Sequence, residues 1–111
     1  MHEAGIAREL LKLALEAAGQ AKLTRISAVE ARGHGLSAGE VEAVRLHWAL
    51  VAKGTAAEGS KLELGPAPAR SNCLDCAWEG FAQGPACPQC GSEDLLEESA
   101  PTLALTSIAG E

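Results

Sequence analysis

The sequence predicts an α+β fold in which two helices pack on a small, mostly antiparallel or mixed three-stranded sheet, with an inserted zinc-ribbon-like domain. Three observations predict it. Two segments, near residues 3–18 and 38–53, repeat apolar side chains at helical spacing. Three segments of strand composition lie outside them. Between Arg70 and Ala100 the chain carries all four of its cysteines, as two C-x-x-C pairs.

In the first segment Ile6, Leu10, Leu13, Ala14 and Ala17 recur with the rhythm of one helix face, and Gly19 supplies the expected stop. Residues 22–31 are rich in Thr, Ile, Ser and Val, which predicts a strand ahead of a Gly33-His34-Gly35 loop. Ser37 and Glu40 have the spacing of a capping box, in which each side chain satisfies a backbone amide that the helix start leaves unpaired. A second helix should follow to about Lys53, with Val41, Val44, Trp48 and Val51 on its apolar face and Gly54 at its left-handed cap. Alternation at Lys61–Leu64 opens a strand that Pro66 and Pro68 disturb, which suits a sheet edge. Pro101–Ala109 again has strand composition and could return to the first sheet, making the cysteine segment an insertion. The expected division is residues 1–70 plus 100–111 as an α/β domain and residues 71–99 as a zinc-binding domain.

Length and composition agree with a small folded chain. Its 111 residues are 47% hydrophobic and 22% charged, but only 3% aromatic, so the core must be built from Leu, Val, Ile and Ala. A segment of about 30 residues cut from it could not stay folded without a metal or a disulfide. No apolar run approaches the roughly 20 residues that span a bilayer, and no basic stretch precedes an apolar one at the N-terminus. The expected location is the cytoplasm, with no membrane partner. In that reducing compartment paired cysteines point to metal rather than to disulfides.

Charge is distributed unevenly. Residues 1–70 hold 9 basic and 8 acidic side chains, a balance of +1, whereas residues 71–111 hold seven acidic side chains and no basic one. Four thiolates around one zinc ion add a further two negative charges, so this end would be repelled by a phosphate backbone. Nucleic acid is not an expected partner, and a nucleic-acid-binding or protein-interaction zinc ribbon stands as the alternative reading.

Cys73, Cys76, Cys87 and Cys90 have the spacing of two tight knuckles that face each other and offer four sulfurs tetrahedrally to Zn(II). Four thiolates leave no open coordination position. Such an ion neither activates water nor binds substrate, and its role is structural. Free buried thiols or a redox pair fit less well, because the pairing is doubled and no thioredoxin-like pattern surrounds it. Trp78 and Phe81 could cover the site as a miniature core, while Ala77 stands where a glycine would ease the first knuckle.

A second candidate lies at the start of the chain. His2 has its own amide and the α-amine of Met1 within chelating distance of its imidazole, and Glu3 can add an amide or a carboxylate. Planar, nitrogen-rich donors favour nickel(II) or copper(II) over zinc. A solvated terminus is the plain alternative. His34 between glycines reads as a loop residue, and His47 as packed or solvated on the second helix. Nothing resembles a phosphate-binding loop, an activated nucleophile or an open metal site, so no enzymatic activity is expected.

Met1-His2-Glu3 before an amphipathic helix, Gly54-Thr55 with Glu58-Gly59 before a strand, then Cys73-x-x-Cys76 and Cys87-Pro-x-Cys90-Gly91 resembles the HypA/HybF family of hydrogenase maturation proteins. The resemblance covers essentially the whole chain. It implies a nickel metallochaperone with Ni(II), the transferred cargo, bound at Met1, His2 and Glu3, and structural Zn(II) at Cys73, Cys76, Cys87 and Cys90. It also implies two partners, a HypB-like maturation GTPase and the hydrogenase large-subunit precursor. Two positions depart from the expected pattern: Gly5, which could loosen the first helical turn, and Ala77. Glu40 could reach the nickel site, although capping already gives it a role.

Overall fold

The structure is a computed structural model that describes residues 3–111. Its elements in chain order are α1 (Glu3–Gln20), β1 (Ile26–His34), α2 (Ala38–Ala52), β2 (Lys61–Ala67), β3 (Arg70–Cys73), β4 (Glu79–Phe81), β5 (Leu95–Glu97) and β6 (Thr102–Gly110). They form two sheets of three strands, β2-β1-β6 and β4-β3-β5. The first is mixed: β1 runs parallel to β2 through the α2 crossover and antiparallel to β6. The second is wholly antiparallel. The expected two helices and mixed three-stranded sheet are therefore present, with the cysteine segment emerging between β2 and β6.

Strand periodicity decides what faces the helices. On β1, Val29 and Ala31 are buried, and their partners across the sheet are Leu62 and Leu64 on β2 and Ile108 and Leu105 on β6. Ile6, Leu10, Ala14 and Ala18 of α1 and Val41, Val44, Trp48 and Ala52 of α2 close the same core. The core's single aromatic residue is anchored at its polar tip, where Trp48 Nε1 donates to Ser60 Oγ at 3.0 Å.

The α2 start follows the sequence closely. Glu40 N donates to Ser37 Oγ at 3.1 Å and Ser37 N to the Glu40 carboxylate at 3.0 Å, completing the capping box. The α1 end does not. The helix runs through Gly19 to Gln20, and Lys22, at φ 59°, takes the left-handed cap position. Leu23 N bonds Ala18 O at 2.8 Å and Lys22 N bonds Gly19 O at 3.2 Å, the two bonds of a Schellman motif. A lysine in that conformation costs about 1 kcal/mol relative to glycine, and burying part of Leu23 against the core offsets it.

This cap also delays the first strand, which starts at Ile26 instead of residue 22 and continues through Gly33 to His34, where a loop was expected. Gly33 is required there, because a Cβ would strike the Leu36 side chain that turns back into the core. Pro66 sits inside β2 without breaking it, since β2 is an edge strand and the missing amide has no partner to lose. Among the described residues no helix is long and apolar enough to cross a membrane.

Candidate metal centre

All four cysteines converge. Cys73 ends β3, Cys76 lies in the turn after it, and Cys87 and Cys90 belong to a second turn before β5. Their sulfurs lie within 4.8 Å of one another, with Cys73 Sγ 3.6 Å from Cys90 Sγ and Cys76 Sγ 3.6 Å from Cys87 Sγ. No pair forms a disulfide. Four sulfurs placed tetrahedrally about 2.3 Å from a central ion would be roughly 3.8 Å apart, so the cluster has the dimensions to hold a metal ion such as zinc.

The two turns are built alike. Ala77 N bonds Cys73 O at 3.0 Å and Gly91 N bonds Cys87 O at 2.9 Å, while Cys73 N bonds Trp78 O and Cys87 N bonds Ser92 O, both at 2.7 Å. Backbone amides aim at sulfur: Asp75 N and Cys76 N approach Cys73 Sγ at 3.4 and 3.5 Å, and Gln89 N approaches Cys87 Sγ at 3.4 Å. Such donors favour thiolate over thiol. The turns are tied to each other where Ser92 Oγ donates to the Asp75 carboxylate. They differ in one respect. Gly91 adopts φ 80° without cost, whereas Ala77 adopts φ 65° with a Cβ, so the departure noted in the sequence falls on a position that requires the left-handed region.

Thiol electrostatics divide the cluster, with the pKa of Cys87 lowered and those of Cys76 and Cys90 raised. Burial works to raise the Cys87 pKa, yet the Cys90 and Gln89 amides and the Cys76 and Cys90 thiols outweigh it and bring it down to about 7. For Cys90 the Ser92 amide works to lower the value, but the Cys76 sulfur, desolvation and the Cys73 and Cys87 sulfurs push it up to about 12. Without a metal the cluster ionises in separated steps, because each thiolate raises the cost of the next.

The aromatic residues near the cluster divide their roles. Trp78 is half-buried with its ring over Gly80, where a Cβ would collide with it. Phe81 leaves the cysteine cluster and stacks on His34 at the end of β1, with ring centroids 3.9 Å apart and planes 25° apart. His34, read from the sequence as a loop residue, is thus a contact between the sheets, and only the fold could reveal a pair 47 positions apart in sequence. His47 is half-buried on α2.

Of the N-terminal candidates, Glu3 is the half-buried first residue of α1, while Met1 and His2 lie outside the described residues. Glu40 is engaged in its capping box, and the Ser37 amide holds its carboxyl below the usual carboxylate range. Among the described residues the four cysteines are the one convergent group of metal-ligating side chains.

Comparison with known proteins decides the family. A family profile described as "Hydrogenase/urease nickel incorporation, metallochaperone, hypA" matches residues 1–110. The chain belongs to the HypA family. It is 40% identical over 97 residues to the hydrogenase maturation factor HypA of Azotobacter chroococcum mcd 1, covering 86% of each protein. It is 31% identical over 113 residues to the hydrogenase maturation factor HybF of Escherichia coli O157:H7, covering 100% of each. The solution structure of the Ni metallochaperone HypA from Helicobacter pylori shares the fold, with TM-score 0.66, 17% identity and coverage of 97% and 96% of the two chains. Membership assigns this HypA protein to nickel incorporation and hydrogenase maturation.

Proposed function

We propose that the protein binds Ni(II) at Met1, His2 and Glu3 and delivers it to a [NiFe]-hydrogenase large-subunit precursor, assisted by a HypB-like GTPase, in the cytoplasm. Zinc at Cys73, Cys76, Cys87 and Cys90 is structural, and no reaction is catalysed. The nickel-binding α/β domain comprises residues 1–70 plus 100–111, and the zinc domain residues 71–99.

The observation that carries this reading is the closed character of the cysteine cluster. Four sulfurs within 4.8 Å of one another would fill every coordination position of a zinc ion. A metal held that way stabilises a fold and is not passed on. Membership in a nickel-incorporation family supports a second, exchangeable site for the cargo. Met1-His2-Glu3 supplies an amine, an imidazole and amide nitrogens at one chain end, a donor set suited to nickel(II). Ligands at a chain end can be surrendered one at a time to those of an acceptor.

The test is calorimetric titration with nickel of the zinc-loaded native chain, a His2→Ala variant and a version with residues added before Met1. The native chain should bind one nickel ion, and the other two should lose most of that affinity. Equal binding by all three would remove the N-terminal site.

A further inference from the structure

The contact between His34 and Phe81 joins the two sheets at a place that the metal chemistry leaves unused. We propose that His34 is a positioning residue that locks the cysteine-bearing lobe onto the α/β body in one orientation. His34 ends β1, and its imidazole makes two contacts. One face stacks on Phe81 of β4, and Nδ1 lies 2.8 Å from Pro68 O, in the segment leading from β2 to β3. A carbonyl only accepts, so Nδ1 carries the proton and donates it. The ring is thereby fixed in tautomer and in plane, with its stacking face presented to Phe81.

Neighbouring residues complete the clamp. Gly35, at φ 87°, donates its N–H to Ala67 O at 3.0 Å. A Cβ at Gly35 would stand 3.6 Å from Ala69 Cβ and 3.7 Å from Pro101 Cα, so the β1–α2 turn fits between the two segments that carry the chain into the cysteine lobe and back. The Arg70 guanidinium lies 6.0 Å from the Phe81 centroid and is itself held by Glu98 at 3.4 Å and Glu79 at 3.7 Å. The ribbon sheet contributes nothing to the hydrophobic core of the body. Its orientation therefore rests on these junction contacts.

The latch has a consequence for the body as well. Three residues after His34 comes Ser37, whose capping box fixes the first turn of α2. A partner that turns the cysteine lobe must pull Phe81 from His34, and the displacement reaches the α2 start through a turn in which Leu36 N bonds Gly33 O at 3.2 Å.

The experiment is 15N relaxation on the zinc-loaded full chain, comparing rotational correlation times for residues 3–67 and 70–97. The native chain should give one common value. His34→Asn, which retains a donor for Pro68 O but no stacking face, and Phe81→Leu should both split it, with the cysteine lobe reorienting faster. His34→Phe, which keeps the stack and loses the hydrogen bond, should restore the common value. Zinc content and the melting temperature of the body should stay at native levels in all three. Two lobes already tumbling separately in the native chain, or a common value persisting in both His34→Asn and Phe81→Leu, would overturn the proposal.

Discussion

The two lobes of this HypA protein are folded by different means. In the body, sixteen of the described residues, drawn from two helices, a mixed sheet and the turns at Leu36 and Ala57, are buried in one continuous apolar core. In the cysteine lobe the buried residues are Ser71, Cys73 and Cys87, and Leu74 and Leu96 face solvent. A sheet of strands three or four residues long with so little buried apolar surface does not hold itself together. The body is held by packing, whereas the cysteine lobe has too little of it and would need the cross-link that a metal on its four cysteines supplies, so each lobe should break without the other.

The largest effect should come from Cys87→Ser. With zinc on the four cysteines as proposed, removing one ligand forfeits much of the roughly 10–16 kcal/mol of apparent binding free energy that structural zinc supplies to small domains. Hydrogen exchange should show protection lost over residues 70–97 and retained in α1, α2 and β1. Loss of protection in both lobes together would contradict the division. Leu10→Ala is the reciprocal experiment. Leu10 is fully buried, and its truncation should cost about 2–5 kcal/mol, read as a lower melting temperature of the body with zinc stoichiometry unchanged.

Metal uptake by the cysteine lobe should depend on pH. Zinc requires thiolates, so each thiol that is protonated in the metal-free lobe releases its proton on binding. Cys90, pushed up to about 12, is protonated across the neutral range, and Cys87, brought down to about 7, joins it as the pH falls. Apparent zinc affinity should therefore fall as pH falls, by at least about tenfold per unit above pH 7 and more steeply below it. Competition titration with a chromophoric chelator at several pH values measures this slope, and a flat profile would contradict it. The smallest change is Ala77→Gly. It relieves a left-handed alanine and should slow release of zinc to a chelator, with a gain of about 1 kcal/mol confined to the cysteine lobe.

Local chemistry was readable in the sequence wherever neighbours along the chain create it. The Ser37–Glu40 box and the two cysteine knuckles each lie within a few residues, and the structure places them as their spacing implies. Prolines at a sheet edge were equally legible, because a missing amide is tolerated only there. The α1 end was not, since Gly19 suggested a stop that the backbone bonds of Lys22 and Leu23 instead supply three residues later. Strand β3, with the sequence Arg-Ser-Asn-Cys, lacks any apolar alternation. Its pairing with β4 and β5 follows from the cysteine turns that bring those segments together. The His34–Phe81 stack is a long-range contact with no local signature.

If nickel binds at Met1, His2 and Glu3 and zinc at the four cysteines, as proposed, the two metals occupy chemically distinct ends of the molecule. X-ray absorption at the zinc and nickel edges of one doubly loaded sample tests it most directly. Zinc should show four sulfur neighbours at about 2.3 Å, and nickel only nitrogen and oxygen neighbours. Sulfur in the nickel shell, or a zinc shell containing nitrogen or oxygen, would contradict it.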